Sequence, residues 1–408
     1  MLSKKSRIFL FLLIALLGSG TYFTFGEQLD SPTPHYITQT ITTNSKTMRT
    51  IAWQTTPSEV IQKIEYKEIN QTDALSLPAN SQKLTTNAEA MTIHSVTLTD
   101  LSPSTIYTYR VGSDNNWSPW QQFTTEDMDP STFKAIIFGD SQSSDYTVWK
   151  QTAQTAWSKN MDAAFFMNLG DLVDIGSHYD QWKSWFDGAG DMIATIPVAP
   201  ISGNHENYLP GGTYSPAFLY LELFNLPMNG PDDLKGQAYS FDYGNVHFVV
   251  LDSQLEELLQ FQPDLITKQK AWLDKNLQTT SKPWKIILMH RSLFSYPDVE
   301  NLNEIGQAFV PIFDKYKVDL VFTAHIHSYG RTSPLFDGKP AKEGTIYIST
   351  GRSGNIAWAE SLQKPFEVVF DSALDQPNYL TLEINEDSLK VTSLKQDGTL
   401  IDTFEMKK

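Results

Sequence analysis

Residues 319–331 of the sequence, DLVFTAHIHSYGR, place two histidines one residue apart directly after an apolar run. Four further apolar runs end in polar residues in the same way: KAIIFGDSQ (134–142), AAFFMNLGDLVD (163–174), PVAPISGNHE (197–206) and KIILMHR (285–291). In open α/β sheets ligands bind beyond the carboxyl ends of the strands, so polar side chains at these ends converge. The sequence therefore predicts an α/β region with one common polar site.

The polar residues at these strand ends offer oxygen and nitrogen donors. Taken singly, a Gly-Asp pair is often a turn or a helix cap, and a histidine at a strand end is often structural. Taken together, in a chain without cysteine, they indicate a metal site made of histidine, carboxylate and amide ligands. The lack of cysteine also excludes disulfides, thiolate catalysis and cysteine-bound zinc.

The charge balance argues against nucleic acid as a partner. The 408 residues include 31 Lys and Arg against 47 Asp and Glu, which gives a formal net charge of −16. A chain with this charge repels polyanions at long range and lacks the basic surface of a nucleic-acid-binding protein. Its length is sufficient for two domains.

The N-terminus predicts export. Basic residues within positions 4–7 precede an uninterrupted apolar run at 8–17, and small residues follow at 18–20. Residues 1–27 are interpreted as a cleaved signal peptide or as a retained N-terminal membrane anchor, because aromatic residues extend the apolar stretch beyond position 20. We therefore expect a secreted protein or one anchored at the extracellular face of the membrane.

Two regions with different patterns follow. Residues 30–126 are rich in Thr and Ser and contain short segments that alternate with period two, which predicts an all-β sandwich. Tyr107 follows a proline-containing turn as in a tyrosine corner, and this region resembles a fibronectin type III domain. A charged stretch with a proline interrupts the pattern at 126–132. Residues 131–408 then alternate apolar strands with amphipathic helices, which predicts an α/β domain that ends in an antiparallel hairpin.

The five motifs, in this order, match the signature of the calcineurin-like metallophosphoesterases, and the resemblance extends over the chain from about residue 131 onward. The stretches YSFDYGNVHFVVLDS (239–253), AHIHSYGR (324–331) and TIYISTGRSGN (345–355), behind the β-rich region, resemble the purple acid phosphatase branch. The resemblance implies a two-sheet β-sandwich flanked by helices, and two divalent ions about 3.5 to 4 Å apart that clamp a phosphate ester.

The same resemblance assigns the ligands to the two ions. One ion is expected to bind Asp140, Asp171 and His327, and the other Asp171, Asn204, His290 and His325, so that Asp171 bridges them. At the end of a strand alternate residues share a face, so the two histidines of the His-x-His pair would each address a different ion. Ile326, between them, is expected to point into packing.

Two positions depart from the family pattern. Many members have Asp-x-His at the first motif, where this chain has Gln142, so this amide is either a ligand through its carbonyl oxygen or a bystander. The purple branch has a tyrosine where this chain has Asp174, so neither the purple colour nor a stabilised ferric site is expected. Asp174 is interpreted as a hydrogen-bond acceptor for a ligand, with a weak metal ligand and a helix cap as alternatives. Mn(II), Fe(II) and Zn(II) all suit these donors.

Further residues are candidates for contact with the substrate. His205 resembles the histidine that lies beside the metals and protonates the leaving group. Asn204, His178 and Arg331 are candidate substrate-binding residues, although Arg331 could equally pair with a carboxylate. The insertion 206–233 is expected to overhang the site and to select the substrate.

The resemblance thus implies a dinuclear metal-dependent phosphoesterase, with His205 and Asp171 as its catalytic residues, and the N-terminal pattern predicts that it is exported. It would hydrolyse phosphate mono- or diesters by in-line attack of a metal-bound hydroxide. The substrate is expected to be a small phosphate ester or a phosphoester of the cell envelope. One alternative is a non-catalytic surface binding module with a degenerate phosphatase domain, which the altered first and second motifs suggest. Another is a binuclear hydrolase that acts on amides.

Overall fold

The structure is a computed structural model that describes residues 32–128, 132–295, 300–359 and 361–408. The predicted signal peptide or anchor, residues 1–27, lies outside these ranges. Within them, no helix combines the length and the apolar composition that crossing a membrane requires.

The first region consists of β-strands, as the sequence predicts. Its core includes Trp53, Ile64 and Phe123. The backbone N–H of Ser102 donates to the hydroxyl of Tyr107 at 2.8 Å, which is the geometry of a tyrosine corner. The strands are β1 (His35–Thr40), β2 (Arg49–Thr55), β3 (Lys63–Glu68), β4 (Leu75–Pro78), β5 (Asn80–Thr85), β6 (Ala90–Leu98), β7 (Ile106–Ser113), β8 (Asn116–Trp117) and β9 (Gln121–Thr124).

The second region alternates strands and helices. Its first half contains β10 (Thr132–Phe138), α1 (Tyr146–Lys159), β11 (Phe165–Asn168), α2 (Tyr179–Thr195), β12 (Val198–Pro200), a 3₁₀ turn (His205–Asn207), β13 (Tyr208–Leu209), β14 (Thr213–Tyr214), α3 (Phe218–Leu223) and a 3₁₀ turn (Asp232–Leu234). Its second half contains β15 (Tyr239–Tyr243), β16 (Val246–Leu251), α4 (Leu255–Leu258), α5 (Leu265–Thr279), β17 (Trp284–Met289), α6 (Glu304–Tyr316), β18 (Leu320–Thr323), β19 (Tyr329–Thr332), β20 (Leu335–Phe336), β21 (Lys339–Pro340), β22 (Ile346–Thr350), β23 (Glu367–Asp371), β24 (Asn378–Asn385), β25 (Ser388–Lys395) and β26 (Leu400–Lys407).

Two large sheets pack face to face. Ten of the described strands form one sheet in the order β26-β25-β24-β10-β11-β12-β1-β2-β6-β5, and seven form the other in the order β15-β16-β17-β18-β22-β19-β23. Phe165 of the first sheet meets Phe241 and Phe248 of the second edge to face, with ring centroids 5.8 and 5.7 Å apart. Helices flank the sandwich, so the predicted fold class is confirmed.

Local sequence explains where the helices lie. α1 begins after Asp145 because the carboxylate of this residue accepts the N–H of Thr147 at 3.0 Å. α6 repeats apolar residues at Ile305, Phe309 and Phe313, and this stripe packs in a buried cluster with side chains of the second sheet.

The two regions share one sheet. β1 of the first region pairs in parallel with β12 of the second, and the N–H of Ile41 donates to the carbonyl of Val198 at 2.9 Å. The hydroxyl of Tyr109 donates to the carbonyl of Ala194 at 2.7 Å. The change of sequence pattern near residues 126–132 therefore does not coincide with an end of this sheet.

Candidate metal centre

The five motifs meet where their strands end. β10, β11, β12, β17 and β18 end at Phe138, Asn168, Pro200, Met289 and Thr323, each within a few residues of a predicted ligand. The first three strands are parallel neighbours in one sheet, and the last two are parallel neighbours in the other. The structure thus brings together residues that are far apart in the sequence at one edge of the sandwich.

Four of the predicted ligands have a left-handed backbone. The φ angles are 24° at Asp140, 52° at Asp171, 71° at His325 and 53° at His327. This conformation costs a residue with a Cβ of order 1 kcal/mol or more, and such strain concentrates at functional sites. The chain turns sharply after each strand and directs these side chains into the space between the strand ends.

The first donor group consists of Asp140, Asp171 and His327. All three are buried, and one ligand atom from each lies within 4.8 Å of the others. The Nε2 atom of His327 is 3.7 Å from Oδ1 of Asp140. The Nδ1 atom of His327 contacts the carbonyl of Ile356 at 2.7 Å, and since a carbonyl only accepts, Nδ1 holds the proton and Nε2 presents a lone pair to the group.

The second donor group shares Asp171 and adds His290 and His325. The Nε2 atom of His290 lies 3.2 Å from Oδ2 of Asp171, 3.0 Å from Oδ1 of Asn204 and 3.2 Å from Nδ1 of His325. Nδ1 of His290 donates to the carbonyl of Leu169 at 2.8 Å, which leaves the inward Nε2 atom free of a proton in the neutral ring. The amide of Asn204 is oriented by its donation to the hydroxyl of Tyr208 at 2.9 Å.

Burial and charge shift the protonation of this cluster in opposite directions. Burial raises the pKa of Asp140 well above its usual value. Burial alone would raise the pKa of Asp171 too, but the positive charges of His290 and His205 outweigh it and hold this pKa well below its usual range. The negative charge of Asp171 in turn overcomes burial at His290 and raises its pKa to about 9. Asp171 is therefore the ionised centre of the cluster.

The two donor groups fit a pair of divalent ions. Atoms that bind one such ion at about 2.0 to 2.3 Å lie roughly 3 to 4 Å from each other, and the distances of 3.7 Å between His327 and Asp140 and 3.2 Å between His290 and Asp171 are in this range. Gln142 adds a further donor, because its buried Oε1 atom has no hydrogen-bond partner among the described residues and its Nε2 lies 3.4 Å from Nε2 of His327. An amide oxygen without a partner at this point suits a cation.

His205 lies at the side of the cluster. Its Nε2 atom is 4.0 Å from Oδ2 of Asp171, and its Nδ1 atom donates to the carbonyl of Asp174 at 2.6 Å. Burial would lower the pKa of His205, but the charge of Asp171 and the hydrogen bonds to Asp174 outweigh this effect and raise the pKa to about 9. The ring is therefore cationic at neutral pH, with an Nε2–H available to donate.

The structure corrects the main interpretation of Asp174. Its Oδ1 atom lies 3.4 Å from Nδ1 of His205, and its own N–H is bound by Oε1 of Gln181 at 2.9 Å. Asp174 thus accepts from His205, which is not one of the predicted metal ligands, and not from a ligand. The aspartate that replaces the tyrosine therefore contacts the neighbouring His205 through its carbonyl and its carboxylate.

Glu206, which is not among the predicted site residues, holds two of the motif loops together. Its buried carboxylate accepts the backbone N–H groups of Gly203, Leu172 and Asp171 at 2.6, 2.8 and 2.9 Å. Burial raises the pKa of Glu206 to about 7. The only sequence signal was its place directly after Gly-Asn-His. Gly203 is required here as well, since a Cβ atom would lie 2.1 Å from Oδ1 of Asp171.

The histidine pair is correctly placed at the site, but for a different reason from the one expected. β18 ends at Thr323, and both histidines lie on the irregular bend beyond it. The expected alternation along a strand is therefore wrong, and the left-handed backbone at each histidine sets its direction instead. Ile326 is half-buried and lines a groove beside His325, so the expectation that it points into packing is also wrong.

Two candidate substrate contacts are not supported by their surroundings. The guanidinium of Arg331 binds the carboxylate of Asp402, with Nε to Oδ2 at 2.6 Å and Nη2 to Oδ1 at 3.2 Å, so the alternative pairing with a carboxylate is present, and the contact with substrate stays a prediction. His178 lies at the N-terminal cap of α2, where its side chain makes no capping hydrogen bond. Its role in a pocket stays a prediction.

Comparisons with known proteins agree with this geometry. Residues 34–125 match the model of the purple acid phosphatase N-terminal domain, and residues 133–329 match that of the calcineurin-like phosphoesterases. An Arabidopsis thaliana protein named probable inactive purple acid phosphatase 27 is 28% identical over 68% of this chain and 52% of its own length. Acid phosphatase type 7 of Mus musculus is 28% identical over 67% of this chain and 66% of its own length. The chain thus spans between half and two thirds of these relatives.

A solved structure shows the same fold. Purple acid phosphatase PPD1 from yellow lupin (Lupinus luteus) seeds superposes with a TM-score of 0.79 at 20% identity, and the match covers 92% of this chain and 74% of the lupin chain. The two family models, matched in this order, support the family assignment, and the lupin structure supports the fold. The chain belongs to the calcineurin-like metallophosphoesterase superfamily, in its purple acid phosphatase-like branch.

Proposed function

We propose that this protein is an exported phosphoesterase that uses two divalent metal ions to hydrolyse phosphate esters. The observation that supports the proposal most directly is the sharing of Asp171 by two donor groups whose ligand atoms lie within 4.8 Å of one another. A shared carboxylate between two three-residue groups is the arrangement that a dinuclear centre requires. Export rests on the N-terminal sequence pattern alone.

The donor set assigns a task to each residue. Asp140, Asp171 and His327 would hold one ion, with Gln142 as an additional ligand, and Asp171, Asn204, His290 and His325 the other. Two bound divalent ions supply a nucleophile at neutral pH and offset the negative charge that develops on the phosphoryl oxygens. The carbonyls of Leu169 and Ile356 keep the lone pairs of His290 and His327 directed inward.

His205 is the group that moves a proton to the leaving oxygen. The carbonyl of Asp174 keeps the proton on Nδ1, so the second proton of the cationic ring must be on Nε2, which faces the cluster. The hydrogen bonds and the charge of Asp174 favour this proton and raise the pKa of His205. Donation from Nε2 neutralises the alkoxide as the ester bond breaks.

The altered positions leave this chemistry intact. Asp174 stabilises the acidic form of His205, while the donors of the two groups are histidine, carboxylate and amide. Such a set accepts Mn(II), Fe(II) or Zn(II), and without the tyrosine ligand a coloured ferric site is not expected. A small phosphate ester or a phosphoester of the cell envelope is the proposed class of substrate.

The test is metal-dependent turnover. The protein is freed of metal, reloaded separately with Mn(II), Zn(II) and Fe(II), and assayed on one aryl phosphomonoester and one aryl phosphodiester. We expect turnover with at least one ion and its loss in Asp171→Asn, while Asp162→Asn retains it. Asp162 is a matched control because its carboxylate is exposed and pairs with Lys134 at 2.9 Å, away from the centre.

The alternative of a surface binding module makes a different prediction in the same experiment. One of the similar proteins is named a probable inactive purple acid phosphatase. If this chain bound two ions per molecule and hydrolysed neither ester under any loading, the catalytic proposal would be refuted. The binding module would then take its place.

A further inference from the structure

A groove of about 880 Å³ opens beside His325. Its apolar walls include Phe294, Trp358 and Leu362, and its polar walls include Ser292 and Asn303. Sites for organic ligands have volumes of roughly 300 to 1,000 Å³, so the groove has space for a substantial organic group in addition to a phosphoryl group.

Trp358 forms a fixed aromatic surface between the groove and the ligands. Its ring stacks on His327 at 4.9 Å between centroids and meets His325 edge-on at 5.4 Å. The loop that leads to it is held at the first and last motifs, because the N–H of Gly354 donates to the carbonyl of Asp140 at 2.9 Å and Nδ1 of His327 donates to the carbonyl of Ile356 at 2.7 Å. The Trp358 side chain nevertheless remains 41% exposed, which leaves surface available for a further planar group.

Both basic residues that line the groove are paired with carboxylates, and Glu256 adds an exposed carboxylate to the lining. Arg291 binds the buried carboxylate of Glu257 at 2.6 Å, and Lys364 binds the buried carboxylate of Glu367 at 2.8 Å. Each pair is close to neutral, so the groove offers no free cation for a second phosphate among its described lining residues. Its chemistry suits an uncharged, apolar or aromatic group.

The proposed acid lies outside the lining of the groove. His205 packs against Tyr208 of the β13–β14 hairpin, with ring centroids 4.5 Å apart, and neither residue lines the groove. A leaving group that receives its proton from His205 therefore occupies the side of the hairpin. A group that reaches into the groove from phosphorus must be one that phosphorus retains.

We propose that the groove binds the organic group that stays on phosphorus, so that the preferred substrate is a phosphodiester, and that Trp358 determines specificity by stacking on that group. This inference rests on the proposed function. In the reaction, water adds a new P–O bond, the P–O bond to the leaving oxygen breaks, and His205 delivers a proton to that oxygen. The product is a phosphomonoester whose organic group lies in the groove and an alcohol.

Three substrates with one leaving group test the proposal. They are 4-nitrophenyl phosphate, methyl 4-nitrophenyl phosphate and phenyl 4-nitrophenyl phosphate, so only the retained group differs. We expect the phenyl diester to have the highest kcat/KM in the wild type. The ratio of phenyl to methyl diester should fall about tenfold in Trp358→Ala, since an aromatic stack is worth roughly 1 to 3 kcal/mol. Trp358→Phe should keep most of the ratio, and Leu362→Ala should lower it by about threefold.

Trp120→Ala is the matched control. This tryptophan is 43% exposed, lies in the first region and packs on Arg110, so the ratio should stay at the wild-type value. Metal content is measured for every variant. If Trp358→Ala loses metal, the ratio of kcat/KM for the phenyl diester to that for the methyl diester in Leu362→Ala tests the proposal in its place.

Several results would overturn the proposal. A wild-type preference for the monoester would contradict the proposal. An equal loss of kcat/KM on both diesters in the groove variants would also contradict it, and Trp358 would then only pack against His327. A lack of turnover of all three esters by the metal-loaded wild type would refute the proposed function itself, and the inference with it. An active enzyme with an unchanged ratio would refute the inference alone.

Discussion

Replacing Asp174 by asparagine should shift the pH dependence of hydrolysis without removing the metal ligands. His205 must be protonated to donate to the leaving oxygen, so its contribution is present below its pKa and is lost as the pH rises through it. Asp174 favours the protonated ring through its carbonyl and its carboxylate. Asparagine keeps the backbone carbonyl and removes only the charge.

The structure gives the size of the shift. The Oδ1 atom of Asp174 is 3.4 Å from Nδ1 of His205, and the aspartate side chain is 40% exposed. For so exposed a carboxylate the dielectric of water is appropriate, and Coulomb's law then gives about 1.2 kcal/mol, or roughly 0.9 pH unit. The alkaline limb of log kcat/KM should therefore move down by about one pH unit in Asp174→Asn. Bound metal ions lower the pKa of His205 in both proteins, so the difference between the two profiles is the quantity to compare.

The assay needs an ester with a poor leaving group. Phosphate release from an alkyl phosphate ester between pH 5 and 10 depends on the general acid, whereas an aryl ester depends on it little. Asp242→Asn is the matched control, because the Asp242 carboxylate is 44% exposed and contacts Nδ1 of His247 at 2.6 Å, away from the centre. Coincident alkaline limbs in the wild type and Asp174→Asn would contradict the acid role of His205, and so would equal shifts in both asparagine variants.

Three further substitutions test other parts of the site and fold. Glu206→Gln places an amide N–H₂ against backbone donors and should lower the free energy of unfolding in urea by about 2 to 4 kcal/mol; an unchanged midpoint would contradict its role as a clamp. Gln142→Ala should weaken the binding of one metal ion about tenfold in a chelator competition, and unchanged affinity would make the residue a bystander. Arg331→Ala leaves the Asp402 carboxylate without its cation and should lower the free energy of unfolding by about 2 to 4 kcal/mol while kcat/KM is retained. Loss of activity in a fully stable variant would instead support the predicted contact between Arg331 and substrate.

Much of the fold follows from local sequence. Tyr107 and the turn before it are close in the chain, and the hydrogen bond from Ser102 forms as the pattern predicts. The C-terminal hairpin forms between β25 and β26 with Gly398 in its turn, where φ is 96°. These features depend on contacts between residues near each other in sequence, which is the range that alternation and turn residues report.

The features that the sequence did not reveal depend on distant contacts. Arg331 meets Asp402 across 71 positions, and β1 pairs with β12, so no local pattern distinguishes these partners from others of the same type. Trp358 follows no recognisable motif, although its ring stacks on a predicted ligand. The sequence predicts that Asp174 accepts a hydrogen bond from a metal ligand, whereas its carbonyl and carboxylate oxygens face Nδ1 of His205.

Several unfavourable features of the described residues meet at the metal centre. Asp140, Asp171 and Glu206 are buried within one cluster, and the first two also have left-handed φ angles. Burying like charges destabilises a fold unless a nearby positive charge compensates, and in the described residues the compensation comes from His290 and His205. His290, however, contributes its Nε2 atom to a donor group, and a ring protonated there cannot bind a metal. Divalent ions would replace that proton with a larger positive charge at the same point, which would offset the cost of burying these carboxylates.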